Sequence, residues 1–189
     1  MANVIGICGS LRRGSYNASL LRTAVALAPP DLTIDVASIR EFPVYDADIE
    51  TSTGTPAAVA ALKDRIAAAD GLLLVTPEYN NSIPGVLKNA VDWLSRPPRD
   101  IPRVFGGRPV SLMGATDGRG GTILAHAAWL PVLRTLGALL WAGPRVQVSN
   151  SPQVFDADGN LTDEPMRQRI ATHLRGFAEF ITRVGARPA

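Results

Sequence analysis

The segment Gly9-Ser10-Leu11-Arg12-Arg13-Gly14-Ser15-Tyr16-Asn17 gathers hydroxyls, arginines and glycines into one short stretch. These groups can hold an anion. Successive backbone N–H groups in a glycine-containing turn can cup it, and a following helix adds favourable dipole potential. Ser10 and Ser15 offer hydroxyl donors, and Arg12 can grip a phosphate with two N–H groups at once. The plainer alternative is a tight turn between strand and helix that carries a surface arginine.

The spacing narrows the anion. The segment Gly9–Ser15 superficially follows a nucleoside-triphosphate loop, but Arg13 precedes Gly14 and no lysine precedes Ser15. Only Gly9 and Gly14 are available, so the glycine pattern that lets a pyrophosphate approach is missing too. A ligand ending in one phosphate, as FMN does, suits the donor set better.

Two further loops hold polar groups. Thr76-Pro77-Glu78-Tyr79-Asn80-Asn81-Ser82-Ile83-Pro84-Gly85 is stiffened by its prolines and combines a carboxylate, an aromatic ring and amides. A rigid loop suits a flat ligand because little ordering entropy remains to be lost. The same residues also describe a surface turn with an incidental aromatic. Gly114-Ala115-Thr116-Asp117-Gly118-Arg119-Gly120-Gly121-Thr122 would let backbone approach a ring closely. It also describes a flexible loop with no ligand.

The elements that would position these loops alternate throughout the chain. Strands are expected at Asn3–Cys8, Leu32–Ala37, Leu72–Val75, Val110–Met113 and Leu139–Val148, the last broken near Gly143-Pro144. Asn17 is expected to cap a first helix that Pro29-Pro30 stops. Thr55-Pro56 should open a second, Pro84 a third, Ile123 a fourth and Thr162 or Asp163 the last. The stretch from Arg40 to Gly54 is expected to be a loop. Strands alternating with helices imply an α/β fold: a doubly wound, five-stranded parallel sheet with right-handed crossovers and helices on both faces. Ligands bind such sheets beyond the carboxyl ends of the strands, where the three loops fall.

Composition excludes several classes. A net charge of +2 makes no phosphate-tracking stripe, so nucleic acid is not an expected partner despite an isoelectric point near 9. No apolar run approaches the roughly 20 residues of a membrane span, and the first residues do not form a signal peptide. The cytoplasm is the expected location. Cys8 is the sole cysteine, sits in an apolar run and should be a small buried hydrophobe. His126 and His173 have no cluster of metal-ligating neighbours, so no metal is expected. Trp93, Trp129 and Trp141 are expected in the core or at a subunit contact.

Two spaced motifs then give the sequence a family likeness. One is Gly9-Ser10-Leu11-Arg12 with Gly14-Ser15 and Asn17. The other is Pro77-Glu78-Tyr79-Asn80 running through Ser82, Pro84-Gly85, Leu87-Lys88-Asn89-Ala90 and Asp92-Trp93-Leu94-Ser95. With them, the chain resembles the NADPH-dependent FMN reductases, in the branch of bacterial chromate and quinone reductases. The likeness covers nearly the whole chain, Tyr45-Asp46-Ala47-Asp48 included. It implies one flavodoxin-like domain over 1–189, with strand order 2-1-3-4-5 and a loose tail from about 184. It implies non-covalent FMN, with NADPH or NADH as co-substrate and a quinone, chromate, azo or nitro compound as small-molecule electron acceptor.

Carried over by position, Ser10, Arg12, Ser15, Tyr16 and Asn17 would bind the phosphate, and Pro77, Glu78, Tyr79 and Asn80 the flavin body. Gly114, Ala115, Gly118 and Arg119 would complete the flavin site, with Arg119 touching the dinucleotide or the acceptor. No catalytic side chain is expected, because the flavin carries the chemistry. The family likeness also implies a homodimer or homotetramer. The rival readings are a non-enzymatic flavodoxin-type electron carrier and a regulatory protein on a flavin fold.

Overall fold

A computed structural model describes residues 1–185. The strands are β1 (Ala2–Cys8), β2 (Leu32–Ala37), β3 (Gly71–Val75), β4 (Pro109–Ala115), β5 (Leu139–Leu140) and β6 (Val146–Val148). They form one parallel sheet in the order β2-β1-β3-β4-β5, with β6 also pairing with β4. The reversal of strand order lies between β1 and β3, the expected ligand position in such a sheet.

The helices are α1 (Tyr16–Ala26), α2 (Ala47–Thr53), α3 (Ala57–Ala67), α4 (Gly85–Leu94), α5 (Ile101–Val104), α6 (Ile123–Thr135), α7 (Ser151–Val154) and α8 (Glu164–Gly185). A turn of 3-10 helix at Pro98–Asp100 leads into α5. Alternation along the strands divides the core in two. Ile5, Ile7, Leu72, Leu74, Val110 and Leu112 point toward α3, α4 and α6, where Ile66, Leu87 and Trp129 meet them. Val4, Leu73, Val75 and Met113 point the other way, toward Leu20 of α1 and Leu174 and Phe177 of α8. Gly6 lies on that second face because a Cβ there would come within 2.9 Å of Leu21 Cδ1 and Ile34 Cγ2.

Several expectations are corrected. The stretch from Arg40 to Gly54 is not all loop: α2 occupies part of it, capped by Asp46, whose carboxylate accepts from Asp48 N at 2.8 Å. Asn17 does not cap α1; Ser15 does, in extended conformation, with its hydroxyl accepting from Ala18 N. α3 begins one residue later than expected, after Pro56, with no side-chain cap. The fifth strand is indeed interrupted, and the break runs from Trp141 to Arg145. α8 continues to Gly185, so the start of the expected loose tail is helical; 186–189 lie outside the described residues.

Trp93 and Trp129 are fully buried and Trp141 is partly buried. His173 bridges Ser111 Oγ and the Pro144 carbonyl, and so ties α8 to β4 and to the strand break. His126 is held near pKa 4, below its ordinary 6.5, by burial first and then by His173 and Arg145. Its folded pKa is depressed, so the folded state resists a proton that the unfolded chain accepts. Stability attributable to this histidine is intact above pH 6.5 and falls as the pH drops toward 4, by on the order of 3 kcal/mol. Urea melts across that window should show a steeper loss in the wild type than in His126→Phe. Equal slopes would contradict this account.

Candidate functional site

The first loop leaves β1 under tight constraint. Gly9 N donates to Val75 O at 2.8 Å, and a Cβ on Gly9 would lie 2.8 Å from Leu87 Cδ2 and 3.1 Å from Pro77 Cδ. The chain then turns into α1. The Ser10 and Ser15 oxygens each accept a backbone N–H, from Arg12 and Ala18, both at 3.4 Å. Their hydroxyl protons remain to be donated. The α1 amides stand behind them, with no acidic residue in the first turn. The Arg12 guanidinium lies 5.6 Å above the Tyr16 ring, which itself stacks on Phe155 at 5.7 Å. Arg12 takes part in no ion pair among the described residues. The result is a donor-rich corner at a helix N-terminus that carries one arginine, which is chemistry for a single phosphate.

Asn17 does different work from that expected. Its Nδ2 donates to Ala115 O at 2.8 Å and its Oδ1 accepts from Ala115 N at 2.9 Å, and the pair is buried. This clamp joins the first loop to the end of β4 across the sheet. Asn17→Ala leaves a buried N–H and C=O unpaired, at about 1–3 kcal/mol each. Urea unfolding should lose about 2 kcal/mol or more, and a loss under 0.5 kcal/mol would contradict the clamp.

The second loop contains a two-residue hairpin. Tyr79 and Ser82 exchange both backbone hydrogen bonds, and Asn80 and Asn81 take φ values of 50° and 60°. That geometry matches the strand twist, and asparagine adopts it more readily than most residues. It projects the Tyr79 ring outward, 48% exposed. Glu78 turns away from the hairpin: its Oε2 accepts from Leu124 N at 2.8 Å and Ala125 N at 3.0 Å. α6 has no side-chain cap of its own at Thr122, so Glu78 caps it from another loop and complements its dipole.

The third loop is tied down. The Thr116 carbonyl accepts from Ser151 N at 3.1 Å and Ser151 Oγ at 2.8 Å, and the Gly118 carbonyl accepts from Asn150 N at 3.1 Å. Gly114 is a packing glycine, since a Cβ there would sit 2.3 Å from Thr122 Oγ1 and 2.4 Å from Thr76 O. It is buried and does not reach the cleft.

The three loops enclose a cleft of about 330 Å³ at the carboxyl ends of β1, β3 and β4. Ser10, Arg12, Ser15, Tyr16 and Asn17 line one side; Pro77, Glu78, Tyr79 and Ala115 line the other. An adjoining hollow of about 560 Å³ continues past Glu78 to Asn80, Thr116 and Gly118. Two expected residues fall outside: Gly114 packs beneath the loop, and Arg119 is exposed and lines neither space. Two residues not singled out individually, Thr116 and Asp117, do line the cleft. Their signal was their place in the loop after β4. Ser151 gave none, because its partner lies 35 residues away.

Residues 2–153 match the model of the NADPH-dependent FMN reductases. The chain belongs to that family. An NAD(P)H-dependent FMN reductase of Pseudomonas aeruginosa is 41% identical over 181 residues, covering 96% of both chains. A 2-hydroxy-1,4-benzoquinone reductase of a Burkholderia species is 38% identical over 175 residues, 93% of each chain. The flavoenzyme FerB of Paracoccus denitrificans, an NAD(P)H:acceptor oxidoreductase, superposes with a TM-score of 0.86 at 32% identity, over 97% of this chain and 98% of its own. The protein is an NAD(P)H-dependent flavin oxidoreductase that uses FMN. Its own residues suit the cofactor: the donor set meets one phosphate, and the remaining cleft is walled by stiff loops at the switch point. Among the described residues no group of metal-ligating side chains assembles, and no helix is long and apolar enough to cross a membrane.

Proposed function

We propose that this reductase transfers reducing equivalents from NADPH or NADH to a quinone through one FMN seated in the 330 Å³ cleft. The observation that carries the reading is the pocket of Ser10, Arg12 and Ser15 at the N-terminus of α1, open to the switch point. When bound, FMN supplies the two-electron centre that accepts hydride from the nicotinamide and gives it to the acceptor. Arg12, Ser10 and Ser15 anchor the phosphate. Pro77, Tyr79 and the Ala115–Gly118 backbone hold the ring plane, and Glu78 and Asn17 lock the loops that carry them. Tyr79 offers an exposed aromatic face beside the cleft for the nicotinamide or the acceptor.

A quinone is favoured because two relatives bear that activity in their names, the Burkholderia enzyme and an Escherichia coli quinone reductase. Chromate, azo and nitro compounds would be secondary acceptors at the same open face. The whole chain acts as one FMN-binding domain in the cytoplasm. Exposed Val86, Ile123, Leu124 and Leu130 support self-association into a dimer or tetramer.

The test is anaerobic titration of the FMN-loaded protein. NADPH or NADH should bleach the flavin absorbance within a turnover, and added benzoquinone should restore it. Protein that takes up FMN but stays oxidised with either nucleotide would be a flavodoxin-type carrier. Protein that takes up no FMN would be a regulatory relic of the fold.

A further inference from the structure

The loop after β4 is gripped from behind at one peptide group. Thr116 N donates to Val148 O at 3.0 Å, which carries the pairing of β4 with β6 one residue further. The Thr116 carbonyl then accepts twice from one residue, from Ser151 N at 3.1 Å and from Ser151 Oγ at 2.8 Å. A carbonyl oxygen has two lone pairs, so Ser151 satisfies it completely. Ser151 is fully buried and lines no part of the flavin cleft. Two residues on, the Gly118 carbonyl is fixed in the same way by Asn150 N.

This grip sets the direction of the next N–H. The Thr116–Asp117 peptide is trans, and a trans peptide holds its N–H opposite to its carbonyl. With the carbonyl turned to Ser151, the Asp117 N–H points away from α7. Asp117 lines the flavin cleft, and its N–H has no acceptor among the described residues. Turning this peptide over would put a carbonyl where the donor stands. Reduction places negative charge on the pyrimidine end of a flavin, which an N–H stabilises and a carbonyl opposes. The Ser151 hydroxyl makes that flip costly, because the carbonyl would leave two buried donors instead of one.

We infer that Ser151 is a positioning residue for the flavin: by holding the Thr116 carbonyl toward α7 it presents the Asp117 N–H to the cleft as a donor that favours the reduced cofactor. The inference rests on the flavin seat proposed above and adds a residue behind that seat. Ser151 acts through the backbone of Thr116 and Asp117 and touches neither the cofactor nor the acceptor.

The test is the midpoint potential of bound FMN, measured by anaerobic dye equilibration, beside the dissociation constant of oxidised FMN. Ser151→Ala should weaken reduced FMN about fivefold more than oxidised FMN, which lowers the two-electron potential by about 20 mV. Ser151→Thr keeps the hydroxyl and should restore the wild-type potential. Asp117→Ala keeps the N–H and should not lower the potential. A part that only stabilises the fold would leave the potential where it is. If Ser151→Ala does not fold, the wild type carries the test: hydrogen exchange at the Asp117 amide, followed by NMR, should slow about tenfold or more when FMN binds. An unchanged potential in Ser151→Ala with FMN bound, a fall in Asp117→Ala, or an Asp117 amide that FMN leaves unprotected would each overturn the inference alone. Wild-type protein that binds no FMN would remove the flavin seat itself, and the inference with it.

Discussion

Arg12→Ala is expected to weaken FMN binding about 10- to 100-fold while leaving the melting temperature of the apoprotein unchanged. A charged hydrogen bond to phosphate is worth about 1.5–3 kcal/mol, and each 1.4 kcal/mol is tenfold in affinity. Arg12 is exposed, lies over the Tyr16 ring and belongs to no ion pair among the described residues, so its removal leaves no buried charged partner stranded. Riboflavin, which lacks the phosphate, should bind the variant and the wild type alike. Arg12→Lys should fall between, because an ammonium keeps the charge but loses the two-pronged grip. Fluorescence quenching of each flavin measures these affinities. An unchanged FMN affinity, or an equal loss for riboflavin, would remove Arg12 from the phosphate site.

Gly114→Ala is expected to produce the largest loss of stability of any single methyl addition in the cleft region. The added carbon would meet Thr76 O at 2.4 Å and Thr122 Oγ1 at 2.3 Å, and the first of these is backbone of the neighbouring β3 end. Neither contact can be relieved by rotating a distant side-chain atom. Overpacking of a buried site costs about 1–3 kcal/mol, occasionally more, and this site belongs at the upper end. At about 2–4 °C per kcal/mol for a chain of this size, the melting temperature should fall by about 10 °C. Gly118→Ala is the matched control, since its Cβ would meet only Thr116 Oγ1, at 3.8 Å. It should melt within about 2 °C of the wild type. Equal melting temperatures for the two variants would contradict the packing role of Gly114.

The sheet was legible because its strands are buried on both faces. Leu72-Leu73-Leu74-Val75 can be nothing but a central strand once short length and flanking turns are weighed, and the stripe of α8 has the helical period over five apolar residues. α2 was not legible because it buries no residue: a short helix held by an Asp46 cap and backbone bonds leaves no apolar pattern. Asn17 was read as a cap because it precedes a periodic run, yet Ser15 takes that place and frees Asn17 to reach Ala115, 98 residues away. The loops of the cleft were found from residue type together with their place after the strands and the family motifs, but the division of labour within them was not. Glu78 looks like a ligand for a ring edge until α6 is seen to lack its own cap. Lys63 shows the same limit. Nothing in the sequence analysis singles it out, yet it is 1% exposed and pairs with Asp100 at 2.9 Å. Long-range pairing of polar groups leaves no local periodicity to read.

The pocket for one phosphate is the claim on which the rest stands, and a crystal structure of the protein grown with excess FMN tests it directly. The phosphorus should lie at the N-terminus of α1, with Ser10 Oγ, Ser15 Oγ and the Arg12 guanidinium all within hydrogen-bonding distance of its oxygens. A flavin whose phosphate points into solvent, or sits against any other set of residues, would contradict the account.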